Sequence, residues 1–321
     1  MTDATANVPA DATTDATLAP PPPSLPPDPL VSPASPQRSS MWRENLRIFV
    51  ANRFALVGAV FLVLMVLFCF VGPMIYKTNQ SATTLLNANL APSAQYPLGT
   101  DPEGLDILGR LMLGGQSTIE LGLAVAVLST GFGALWGALA GYVGGVVDSF
   151  LMRIVDMMLS IPFLFFVVLL ATLLTPTLPL IIASIAIVSW PSTARIVRGD
   201  TLSLRTRDYV TAARGVGSRH FPLIRRHIVP NAFGSIIVIG TLTVATSILL
   251  FASLSFLGLS VPPPATNWGL VLTQGIHNLY NGYWWELWPA AAAIVLTVIA
   301  INALGDGLYD VVDQRHKRKG G

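Results

Sequence analysis

Residues 54–76 read FALVGAVFLVLMVLFCFVGPMIY, without a single charged residue. A helix rises about 1.5 Å per residue, so about 20 residues cross a hydrocarbon core roughly 30 Å thick. This stretch is long enough to do so. Working outward, five further segments meet the same requirement, at 117–141, 155–175, 178–198, 232–257 and 288–310. A buried helix of a soluble protein can imitate one such segment; six of them it cannot. The third and fourth are separated only by a tight turn around Pro176 and should form an antiparallel hairpin. The predicted fold class is all-α, a polytopic membrane protein with six transmembrane helices.

Composition agrees. Of the 321 residues 52% are hydrophobic and 11% charged, against about 25% charged in soluble domains. The lone cysteine, Cys69, excludes an internal disulfide framework and a CxxC metal site, and inside its apolar run it reads as a small packing residue. The first 40 residues are rich in Pro, Ala, Asp and Thr and include Pro20-Pro21-Pro22-Pro23. Such a segment cannot bury enough surface to offset its ordering entropy. It reads as a disordered, solvated tail rather than a ligand for a proline-recognising partner. It has no positive region followed by an apolar stretch, so it is not a secretory signal. The organisation is then a tail at 1–40, a flank and first span at 41–76, an extracytoplasmic segment at 77–116, a five-span core at 117–312, and a basic tail at 313–321.

The positive charges set the orientation. They flank the first span (Arg38, Arg43, Arg47, Arg53) and open the third (Arg153). They crowd the stretch between spans four and five (Arg195, Arg198, Arg205, Arg207, Arg214, Arg219, Arg225, Arg226) and the C-terminus (Arg315, Lys317, Arg318, Lys319). If six spans alternate, all of the 19 lysines and arginines except Lys77 and Arg110 fall on one side. Five or seven spans would scatter them. Both termini therefore face the cytoplasm. The outer segment 258–287 holds Trp268, Tyr280, Tyr283, Trp284 and Trp285, with Trp288 just beyond, and reads as an interfacial aromatic belt rather than a ligand cage.

No Asp, Glu, Lys, Arg or His occurs in 56–76, 121–142, 157–194 or 228–276. Ion-coupled carriers place ionisable groups near the midplane, so the energy for pumping must enter elsewhere. Gly133, Gly137 and Gly141 form a stripe for close helix packing. On the fifth span Thr241, Thr243, Thr246, Ser247, Ser253 and Ser255 either bond their own helix backbone or line a polar path. The candidates for that path are Thr243, Thr246, Ser247 and Ser253.

Residues 199–231 are the most informative stretch. Residues 201–214 suit a helix, broken by Gly215 and Gly217; Ser218 can cap a second, with Pro222 in its first turn and Pro230 ending or kinking it before the fifth span. Thr211-Ala212-Ala213, then Gly217, then Pro230 resembles the hallmark loop of the inner-membrane permeases of binding-protein-dependent ABC importers, with threonine where glutamate is usual. Tyr96-Pro97-Leu98-Gly99-Thr100-Asp101, Leu151-Met152-Arg153 with Asp156, Ile161-Pro162-Phe163, Arg226-His227-Ile228-Val229-Pro230-Asn231, and Phe256-Leu257-Gly258-Leu259 with Trp268-Gly269 are similar to its oligopeptide/dipeptide/nickel branch.

The resemblance implies a type I importer permease fold. It also implies that the loop forms coupling helices docked on an ATPase, with Arg207, Asp208, Tyr209, Thr211, Ala212, Ala213, Gly217, Arg219, Phe221 and Pro230 at the contact. Arg205, Arg207 and Arg219 are the arginines best placed to touch an acidic partner. The implied partners are a second permease subunit, two ATP-binding-cassette ATPase subunits and an extracytoplasmic solute-binding protein, in a bacterial cytoplasmic membrane. ATP and Mg would bind the ATPase subunits; no phosphate-cradling GxxxxGK[ST] loop occurs here. This chain is then not an enzyme, and it holds no cofactor and no metal. His220 and His227 read as surface residues. The implied cargo is a short peptide, with a nickel chelate or glutathione as alternatives; an ATPase-independent channel or carrier, or a scaffold using the proline-rich tail, are the competing classes.

Overall fold

The computed structural model describes residues 48–78, 80, 82–173, 175–206 and 229–319. Regular structure among them is helical, apart from one isolated bridge between Thr100 and Asp106. The helices are α1 (Arg53–Phe70), α2 (Gly72–Ile75), α3 (Ile107–Val143), α4 (Gly145–Ser160), α5 (Phe163–Leu173), α6 (Leu178–Leu204), α7 (Val229–Phe256), α8 (Trp268–Asn278) and α9 (Trp284–Lys319). By length and composition five of the described spans can cross a membrane, and six if the bent pair α4–α5 counts as one.

Glycine contacts fix the direction of each helix. A Cβ on Gly133, Gly137 or Gly141 would fall 2.5 Å from the Trp190 carbonyl oxygen, 2.2 Å from that of Ala194 and 2.8 Å from that of Arg198. Both sets of numbers rise together, so α3 and α6 run parallel. Gly122 meets Val244 and Ile248 while Gly240 faces Thr130, so α7 is antiparallel to α3. Gly234 meets Val312 and Gly305 meets Thr241, so α9 is antiparallel to α7; Gly58 meets Ala300 and Gly307 meets Ala55, so α1 is antiparallel to α9. Two parallel neighbours joined by residues 144–177 require that segment to return the chain to the far end. The bent pair therefore makes the third crossing. The start of α1 and the end of α9 lie at one end, where Asn52 Nδ2 donates to Asp310 at 3.0 Å.

Two expected spans differ from their observed form. The second begins ten residues earlier than expected, at Ile107, and its 37 residues extend about 55 Å, well beyond a bilayer core. Arg110 and the Gly114-Gly115 pair resemble loop chemistry. In the fold the arginine is neutralised and the glycines admit α8: a Cβ on Gly114 would sit 3.0 Å from Asn267, and one on Gly115 2.8 Å from the Trp268 ring. The third is not one straight helix over 155–175 but two arms bent by 80°. Pro162 holds Ile161 in extended backbone (φ −84, ψ 123), because the proline ring crowds the helical conformation of the residue before it. The first arm carries Asp148, Arg153 and Asp156.

One core cluster gathers Cys69, Leu111, Ile119, Ile248 and Ile294 around Trp268, which is fully buried. Its indole Nε1 donates to the Leu111 carbonyl at 2.8 Å and its backbone amide to Thr118 Oγ1 at 3.2 Å. The expectation of a belt thus fails at Trp268, a core residue. Tyr280, Trp284 and Trp288 are exposed at 96%, 55% and 60%.

Candidate functional site

The arginine-rich end is built from the termini of α3, α4, α6 and α7. The glycine stripe brings α3 and α6 backbone to backbone, and Thr201, fully buried, sits over Gly141. Phe132, Trp136 and Trp190 pack edge to face above it, with centroids 4.9 Å apart for Phe132–Trp190 and 5.1 Å for Trp136–Trp190. α4 folds back along α6 and is held by two ion pairs. Arg198 grips Asp148 with two bonds of 2.6 and 2.7 Å; Arg195 meets Asp156 at 2.6 Å. Arg205 leaves α6 and donates from Nη1 to the Gly141 carbonyl at 3.0 Å, satisfying one of the orphan carbonyls at the end of α3.

Leu204 and Ala232, the residues that bracket the arginine-rich loop, are both buried in one apolar cluster with Tyr142, Ala138 and Val197. The two stems of the loop therefore stand together on α3. Displacing one without the other would open that cluster, at about 25 cal/mol per Å² of apolar surface exposed.

The opposite end is polar. Gly99 has a left-handed φ of 78 and sits under Trp285, where a Cβ would fall 2.6 Å from the ring. Thr100, fully buried, accepts from the Leu90 amide at 2.8 Å and donates to the Asn87 carbonyl. Asp101 accepts from the amides of Glu103 and Leu105 at 3.0 and 2.8 Å and takes the Arg110 guanidinium on its other oxygen. Arg110 also reaches Glu103 at 3.1 Å. Burial, and next the charge of Asp101, push the Glu103 carboxyl above the usual carboxylate range. Asp106 caps α3 through the Leu108 amide at 2.8 Å and accepts from the Tyr76 hydroxyl. Asn267 caps α8 and ties it to the end of α7 through Ser255 at 2.9 Å and Ser260 at 2.6 Å.

Comparison with known proteins decides the family. Residues 133–318 match the model of the inner membrane component of binding-protein-dependent transport systems, and residues 40–92 that of the N-terminal transmembrane domain of oligopeptide transport permease C. The chain belongs to the binding-protein-dependent inner-membrane components. It is 40% identical to the oligopeptide transport system permease protein OppC of Bacillus subtilis, over 87% of this chain and 91% of that protein. It is 38% identical to the OppC of Escherichia coli K12, over 87% and 92%, and 36% identical to the dipeptide transport system permease protein DppC of Bacillus subtilis, over 83% of each. A chain of the MetNI methionine ABC transporter, solved in inward-facing conformations, aligns with a TM-score of 0.50 and 20% identity over 63% of this chain and 94% of that one. This supports the type I importer fold.

As an inner-membrane component the chain is a transport subunit, not a catalytic one. Of its expected coupling residues, Arg207, Asp208, Tyr209, Thr211, Ala212, Ala213, Gly217, Arg219 and Phe221 lie outside the described residues. Pro230 lies within α7 as described, and the helix it was expected to end lies outside the described residues. Residues 201–204, expected to open a separate helix, are the last turn of α6, and Gly199 does not interrupt it. Arg205, expected against a partner, donates to its own chain.

The four candidate path hydroxyls of α7 bond backward along their own helix: Thr243 to Ile239 at 2.8 Å, Thr246 to Leu242 at 3.1 Å, Ser247 to Thr243 at 2.7 Å, and Ser253 to Leu249 at 2.9 Å. Thr246 and Ser253 lie on an exposed face with Leu242, Leu249 and Phe256; Thr243 is half-buried and Ser247 fully buried. The Arg198–Asp148 brace went unread in the sequence because its partners are 50 residues apart; the Asn267 cap before Trp268-Gly269 was legible as a helix-start signal.

Proposed function

We propose that this chain is one of two permease subunits of an ATP-driven importer of short peptides. The observation that carries this reading is the 36–40% identity to oligopeptide and dipeptide permeases along nearly the whole chain, its first span included. The partners are a second permease, two ATPase subunits that bind ATP and Mg, and an extracytoplasmic binding protein. The arginine-rich end, with both termini, faces the cytoplasm.

Residues 207–228 dock on the ATPase. ATP-driven closure displaces them, and the paired stems at Leu204 and Ala232 pass that displacement to α3, α6 and α7 together. The exposed α7 face with Thr246 and Ser253 borders the path. Hydroxyls already satisfied by their own backbone bind cargo weakly, which suits a path that must release it. Residues 1–40 serve as a solvated tail.

The test is uptake of radiolabelled trialanine into proteoliposomes holding the assembled complex and its binding protein. Uptake that requires ATP, and that Gly217→Trp abolishes together with peptide-stimulated hydrolysis, is the expected result. Uphill accumulation by this chain alone, without nucleotide, would falsify the proposal.

A further inference from the structure

Glu120 lies on α3, inside the expected second span, and no role described above uses it. Its depth follows from its neighbour Gly122, where a Cβ would fall 3.1 Å from the side chains of Val244 and Ile248 on α7. Ile248 stands about 12 Å down the α7 axis from Phe256. Residues 232–257 carry no charge, so this level lies well inside the hydrocarbon core. A glutamate stem is shorter than the lysine and arginine stems that let a buried side chain keep its charge in water.

The carboxylate is exposed on the surface of the chain, and among the described residues nothing donates to it or pairs with it. Residues 56–76, 157–194, 228–276 and 287–305 contain no Lys, Arg or His, so the neighbouring spans offer no countercharge at its level. Glu120 shares one helix face with Leu123 and Val127, exposed at 53% and 72%, and with Gly131, beside which a Cβ would meet nothing within 4 Å. Carboxylates at such depth face a bundle interior or a water-filled cavity and mark the route of an ion or substrate. Acyl chains therefore do not cover this face.

We propose that the α3 face bearing Glu120 borders the cargo path, and that the Glu120 carboxylate receives the ammonium of the passing peptide. An ammonium carries three donors and no acceptor, and at low dielectric an unanswered carboxylate attracts it far more strongly than in water. Ala124 and Gly131 add little bulk to this face, which leaves room beside the helix for a small solute. This inference rests on the peptide-importer reading and adds to it a charged station within the membrane.

The experiment uses the assembled importer with its binding protein in proteoliposomes. Glu120→Cys, and Val127→Cys, which keeps Glu120, are exposed to a charged, water-soluble methanethiosulfonate, with Val63→Cys on the exposed face of α1 as comparison. Both α3 variants are expected to react at least tenfold faster than Val63→Cys, with and without ATP and vanadate compared. Glu120→Gln should slow uptake of radiolabelled trialanine about tenfold, as loss of a bond to a charged group, and Glu120→Asp should retain more than half of it. Two α3 variants as inert as Val63→Cys in both nucleotide states overturn the proposal, as does unchanged uptake in Glu120→Gln. Loss of the second permease from the Glu120→Gln complex on size exclusion also overturns it, in favour of an ion pair between subunits. Reactive α3 variants in a complex whose wild type does not import trialanine support the water-filled path and overturn the peptide-importer reading.

Discussion

From Gly133 to Gly141, α3 lies on α6 with backbone against backbone; from Ile107 to Gly115 it lies beneath a cap knitted by buried charge. In lipid there is no hydrophobic force between helices, so cohesion comes from close approach, and close approach needs small residues. In the cap a guanidinium and the carboxylate of Asp101 are both almost fully withdrawn from solvent, and their cohesion depends on each being answered. The first region is intolerant of added volume, the second of removed charge.

Six substitutions, one of them a rescue and one a control, compare close packing with paired charge, and each is read by thermal and denaturant unfolding of the complex in mixed micelles. Arg110→Met leaves Asp101 buried without its countercharge and should cost about 3–5 kcal/mol; Asp101→Asn in the same chain should recover a large part. Little loss in the single variant would break the distinction. Gly137→Leu adds volume where a Cβ would lie 2.2 Å from the Ala194 oxygen and should cost about 1–3 kcal/mol. Its control is Gly131→Leu on the same helix, where nothing lies within 4 Å; equal losses at the two sites would mean that helix propensity, not packing, is being measured.

Asp148→Asn weakens a two-bond pair whose side chains are 34% and 14% exposed, and about 1 kcal/mol is expected after allowing for solvent screening. Arg195→Gln removes a pair more than half exposed on both sides. Its effect should stay under about 0.5 kcal/mol and vanish in high salt.

The same contrast explains what could be read in advance. Spans one and five were legible almost to the residue because charge-free runs such as Leu56–Tyr76 have only one use. The start of α3 was not, because Arg110 taken alone looks like a loop residue; only the fold supplies Asp101 and Glu103. The bend in the third crossing was latent in Ile161-Pro162, which a count of apolar residues passes over. Trp268 shared its composition with the belt around it, and burial is decided by Gly115 and Cys69, distant in sequence. The glycine stripe was legible as packing because three glycines four apart have a geometric meaning on a helix.

Leu204 and Ala232 give the arginine-rich loop a single footing. A segment that leaves and re-enters a protein at one point is a module: its contents can be exchanged while the socket remains. Given the proposed docking of residues 207–228, a chimera carrying a relative's residues 207–228 should keep its membrane architecture and cargo and change only the engine it answers to.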